Sequence, residues 1–106
     1  MIRTLLLCLL LTGCTAIDYS RKVEGWPVMR EELHVVSAAE MHNVCDKYAG
    51  FGEVMLSCAE MFFHPDVCKI WVTEAGGWLE EHERAHCRGH DHIGGDSMRK
   101  MLAKRK

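Results

Sequence analysis

The residues best suited to chemistry lie in one stretch, His82-Glu83-Arg84-Ala85-His86-Cys87-Arg88-Gly89-His90-Asp91-His92. Two histidines four apart fall on one face of a helix, a turn from each other, so both imidazoles can reach a single metal ion. Glu83 sits next in the helix, beside the metal's open position, where a carboxylate can take a proton from a metal-bound water. Gly89 can adopt the positive φ that ends a helix sharply, after which the chain doubles back and delivers His92 from a loop. Three protein ligands plus water is the arrangement of a catalytic zinc site, because a structural site fills all four positions with protein. The expected ligand set is therefore His82, His86 and His92, the expected cofactor is Zn2+, and the expected general base is Glu83. His90 competes with His92 for the third position at a less favourable spacing. Cys87 neighbours His86, but successive side chains diverge by about 100° around a helix. It is expected to face away from the metal and to bridge to Cys45 or Cys58.

The pattern H-E-x-x-H-x-x-G-x-x-H resembles the long zinc-binding motif of metzincin-type metallopeptidases, and His82, Glu83, His86, Gly89 and His92 match it position for position. The wider layout, with Cys68, Ile70 and Trp71 ahead of the His-Glu helix and Cys87-Arg88-Gly89 and Asp91-His92 after it, is similar to small zinc peptidase lipoproteins of bacteria, their phages and plasmids. The resemblance covers about residues 67–92. It implies peptide-bond hydrolysis, a peptide or protein substrate, and a strand ahead of the active helix that offers its edge to extended substrate. Residues 67–73 stand in that place, with Ile70 and Val72 as substrate-binding candidates. The resemblance also implies a methionine beneath the metal. Met98 is the candidate, unless it belongs with Met101 and Leu102 to the core of the last helix.

These residues need elements to hold them. Leu33 to Val36 reads as a short strand. Ser37-Ala38-Ala39-Glu40 is a capping box, and Met41, Val44, Cys45 and Tyr48 then mark one helical face that should stop near Gly50. Residues 53–63 and 67–73 read as two strands around the turn signal His64-Pro65-Asp66, the second rich in β-branched and aromatic residues. Trp78 to Cys87 reads as the helix that carries the histidines, and Asp96 is placed to cap a last helix. The fold expected is α+β: a small antiparallel sheet of two or three strands, packed by the capping-box helix and the zinc helix, with a short C-terminal helix.

The chain has 106 residues, which bounds it to one domain. Arg3 followed by the leucines between 5 and 11 has the shape of a secretory signal and is shorter than the roughly 20 apolar residues of a membrane span. Leu11-Thr12-Gly13-Cys14 looks like a lipobox, with Cys14 the lipidated residue. The expected organisation is a signal peptide over 1–13, a lipid-anchored tether over 14–31 and the zinc-binding domain over 32–106. The expected location is the cell envelope, anchored by lipid; Thr15 follows the cysteine where an Asp would resemble an inner-membrane retention signal, so the outer membrane facing the periplasm is the expected side. Of six cysteines, Cys45, Cys58, Cys68 and Cys87 remain for the mature domain. An even number in so small an exported chain reads as two disulfides, with three pairings open. The formal net charge of -2 gives no reason to expect nucleic acid.

Two functions fit this sequence. One is a zinc peptidase of the envelope. The other is a non-catalytic periplasmic lipoprotein that holds metal, suggested by seven histidines and seven methionines; that reading gives no reason for Glu83 or Gly89.

Overall fold

The structure, a computed structural model, describes residues 21–92 and 94–105. The expected signal segment and the lipidation candidate Cys14 lie outside the described residues. The class is α+β, with two small sheets, and the described chain divides into two compact units.

Pro27–Arg88 forms one unit. It contains β2 (Arg30–Val35), α1 (Ala38–Cys45), a 3-10 turn (Asp46–Tyr48), β3 (Cys58–Phe62), β4 (Val67–Val72) and α2 (Trp78–Cys87), while the other unit supplies β1 (Arg21–Lys22). The sheet order is β2-β4-β3. β3 and β4 pair antiparallel around the turn at 63–66, as the His64-Pro65-Asp66 signal requires, but β2 joins β4 in parallel. The sheet is therefore mixed rather than purely antiparallel. The reason is the chain path: α1 and the loop after it carry the backbone away from β2, so β2 and β4 run the same way. The first strand of the hairpin is shorter than residues 53–63; it begins only at Cys58.

The two-residue period of the strands sends the helices to opposite faces. Cys58 and Trp71, opposed in register, face α1, where Met41, Cys45 and Cys58 form a buried cluster joined by Val36, Val44, Met55 and Trp71. Ser37 caps α1 through its hydroxyl, which accepts from the Glu40 backbone N–H at 3.2 Å, so the Ser half of the capping box forms. Glu60 lies buried on this face and accepts hydrogen bonds from the Tyr48 hydroxyl and, at 2.9 Å, from the Trp71 indole, with Lys47 at 3.4 Å. Burial pushes the Glu60 carboxyl up, but the three donors outweigh it and hold the group below its ordinary value. Burial and the same carboxylate push the Tyr48 phenol up to about 12.

Cys68, Ile70 and Val72 face α2. The Cys68–Cys87 disulfide ties the end of α2 to the middle strand, and the Cys45–Cys58 disulfide ties α1 to the start of β3. Cys87 thus bridges to Cys68, and not to Cys45 or Cys58. Cys45 and Cys58 point to the face that α1 covers, so the sheet itself stands between them and α2. A charged clasp adds to this attachment. Glu31 on β2 accepts from Arg84 at 2.6 Å and from Arg88 at 3.0 Å, and Arg84 also donates to Glu80 at 2.8 Å.

Of the described residues, 21–26 and those from Gly89 on form the second unit. β1 pairs antiparallel with β5 (His90–Asp91), and α3 (Ser97–Lys104) follows. The stretch expected to be a tether, 14–31, is therefore structured from residue 21 onward: it supplies β1, the buried Trp26 and Met29, and the first residues of β2. Asp96 holds the N-cap position of α3 but makes no side-chain capping bond, and its carboxylate meets Lys100 at 3.3 Å. The capping acceptor is Asp91, whose carboxylate receives the Met98 backbone N–H at 3.3 Å and the His92 N–H at 2.8 Å. Met98 is buried as core of this unit. Among the described residues no helix is long and apolar enough to cross a membrane.

Candidate metal centre

The helix that bears the histidines runs from Trp78 to Cys87, the range expected from its composition. Its start is fixed by Gly77 in extended conformation and by Glu80, which reaches back to accept the Gly76 N–H at 2.8 Å. Its end is fixed by Cys87 through the disulfide and by Arg88, whose backbone N–H closes onto the carbonyls of Arg84 and Ala85 at 3.1 Å.

His82 and His86 bring their Nε2 atoms to 3.2 Å, with the rings edge to face. Two nitrogens bound to one tetrahedral zinc at about 2.05 Å stand about 3.3 Å apart. The spacing of the pair is that of a hydrogen bond between the two rings, and it also fits two nitrogens on one zinc ion. Together with His92 they make a group in which one ligand atom from each lies within 4.8 Å of the others, and this group could hold a metal ion. His82 and His86 are partly buried and His92 is exposed. His90, the competitor for the third position, lies on β5 opposite Lys22. Cys87 is spent in its disulfide, so no thiolate is available beside the group.

Glu83 is 5% exposed. Its carboxylate accepts from the Ser57 hydroxyl at 2.5 Å and lies 4.0 Å from the His82 ring. Burial drives its pKa up, against the lowering effect of the Ser57 hydrogen bond. A carboxyl pushed in this direction is a better proton acceptor than an exposed glutamate. Ser57 was not foreseen from the sequence. It lies 26 residues from Glu83, and no local pattern links the two.

Gly89 follows the helix with φ of +97°, and a Cβ there would stand 2.8 Å from Trp26 Cβ and Cγ. Both the handedness and the close approach demand glycine.

The strand over 67–73 was expected to offer an edge to substrate. It does not. β4 is the middle strand, hydrogen-bonded to β2 on one side and β3 on the other, and Ile70 and Val72 are fully buried. Its backbone has no groups left to pair with a peptide, and neither side chain can line a substrate pocket. The sheet's edges are β2 and β3.

Comparison of the chain with protein families, with curated proteins and with solved structures finds no match.

Proposed function

We propose that the chain is a zinc-dependent metallopeptidase of the bacterial cell envelope. The observation that carries this reading is the His82–His86 spacing of 3.2 Å beside a buried carboxylate on the same helix. The donor set fits zinc: neutral imidazoles suit it, and three protein ligands leave a position for water. His82, His86 and His92 would hold the ion. When bound, zinc would lower the pKa of its water towards 7 and polarise the carbonyl of the scissile bond.

The remaining work falls to Glu83. Its carboxylate accepts a proton from the attacking water as the water oxygen bonds to the carbonyl carbon. It then delivers that proton to the leaving nitrogen as the C–N bond breaks. A site that only stored metal would have no use for a buried glutamate whose charged form is disfavoured. The disulfides suit an oxidising compartment, and a lipid on Cys14 would hold the domain at a membrane.

The test is Glu83→Gln in the oxidised domain, with zinc content and cleavage of a mixed peptide library measured on both proteins. One zinc per chain in both, with hydrolysis reduced about 100-fold or more in the variant, is the expected result. Equal cleavage by the variant, or several loosely held ions per chain, would overturn the reading.

A further inference from the structure

We infer that Ser57 is a positioning residue for Glu83, anchoring through its hydroxyl the carboxylate oxygen Oε2 that lies 4.0 Å from His82 Nε2, and so fixing where the carboxylate stands as the proton acceptor. The inference rests on the peptidase reading for its consequence, but its geometry stands by itself.

Glu83 Oε2 and Ser57 Oγ are 2.5 Å apart, and both residues are buried, at 5% and 6% exposure. A hydroxyl can donate only one hydrogen bond, so Ser57 holds Oε2 alone, the oxygen nearest His82 Nε2, and a carboxylate oxygen that accepts one hydrogen bond keeps capacity for another. Charge-assisted O–H···O⁻ bonds are short and directional. A glutamate side chain turns about three bonds, and without such an anchor its carboxylate can occupy several rotamers.

Ser57 is itself held. It directly precedes Cys58, which opens β3 and is bridged to Cys45 on α1. Alternation along the strand explains the direction: Cys58 faces α1, so its neighbour Ser57 is turned to the side of the sheet where α2 lies. α2 is fixed independently, by Cys68–Cys87 and by the Glu31–Arg84–Arg88 clasp. Base and anchor thus come from two separately fastened elements. Misplacement of a reacting group by about 1 Å can cost about 100-fold, which sets the scale of the effect.

The experiment uses the oxidised protein with Ser57→Ala and Ser57→Thr. In the zinc-loaded form, Ser57→Ala is expected to keep one zinc per chain and its KM while kcat falls 10- to 100-fold, and Ser57→Thr, which keeps the hydroxyl, to recover most of that loss. In the metal-free form, proton NMR should show a slowly exchanging hydroxyl signal that is absent from Ser57→Ala and shifted in Glu83→Gln. If wild type cleaves peptides and Ser57→Ala retains its kcat, the positioning role is wrong. If no slowly exchanging hydroxyl is seen in the wild type, the contact itself is wrong. If the hydroxyl signal behaves as stated but wild-type protein cleaves nothing, the positioning holds and the peptidase reading fails.

Discussion

Gly89→Ala tests whether the backbone turn after α2 is as constrained as its geometry implies. The perturbation adds one methyl group. At φ of +97° an L-residue incurs the left-handed penalty of about 1–2 kcal/mol. The added Cβ would also stand 2.8 Å from Trp26 Cβ and Cγ and 3.0 Å from Cδ1, so the indole or the turn must move. Trp26 is 9% exposed, and overpacking at a buried site costs about 1–3 kcal/mol. The two effects together give a loss of about 2–5 kcal/mol. Gly25→Ala in the same unit separates them: φ there is +80°, and a Cβ would meet only Leu102 Cδ2 at 3.9 Å, an ordinary contact. That variant should lose only the backbone part. The assay is urea unfolding of the metal-free oxidised protein, followed by zinc titration. Gly89→Ala should be the less stable of the two by about 1–3 kcal/mol and should bind zinc more weakly, because His92 lies three residues beyond the turn. Equal losses in the two variants would refute the close-approach argument. A Gly89→Ala protein within about 0.5 kcal/mol of wild type would refute the backbone argument as well.

Replacing Cys68 and Cys87 together by Ser opens a loop of sequence separation 19; chain entropy sets the loss near 3 kcal/mol, measurable by urea unfolding, and zinc affinity should fall with it because Cys87 adjoins His86. The Glu60 carboxyl, held below its ordinary value by Tyr48, Trp71 and Lys47 against the effect of burial, stabilises the fold above the unfolded-state pKa near 4.5. That contribution is lost as pH falls through the lower folded value. Glu60→Gln should therefore be less stable than wild type at pH 7, with the gap narrowing in acid; urea midpoints at the two pH values check this, and a gap that widens in acid would contradict it. Tyr48, pushed up to about 12, works at the other end: its contribution is complete below about pH 10 and is lost as pH rises towards 12. Tyr48→Phe should thus flatten the alkaline limb of the wild-type stability curve.

What could be read from the sequence was local. The i, i+4 histidines, the intervening glutamate and the capping serine act within one or two turns, and the structure finds them on the helices expected. The end of α2 followed from Gly89 for the same reason. What was missed depends on pairing between distant segments. The joining of β2 to β4 is decided by how α1 carries the chain, which hydrophobic pattern does not encode. The position of β4 could have been suspected: Val67, Cys68, Ile70, Trp71 and Val72 make a nearly continuous apolar run, the signature of a strand covered on both faces. The disulfide partners had no local signal, since they follow from which sheet face each cysteine occupies. Ser57 had none either, because a single serine acquires its role only when β3 and α2 meet.

The placement of the bridges explains how so short a chain holds a site rigidly. Within Pro27–Arg88 the buried apolar residues are Met29, Met41, Cys45, Cys58, Val67, Cys68, Ile70, Val72 and Cys87, and four of these nine are half-cystines. A core of that size buries little apolar surface, so covalent closure must supply part of the stability that packing cannot. Each bridge also ends beside a residue of the site: Cys58 follows Ser57, and Cys87 follows His86. One bridge therefore fixes the serine that hydrogen-bonds Glu83, and the other fixes the helix that carries Glu83, His82 and His86. Cysteines bridged anywhere in the core could satisfy the need for stability. Their adjacency to the serine and to the second histidine gives them a second consequence, which is to limit how far the carboxylate and the imidazoles can move relative to one another.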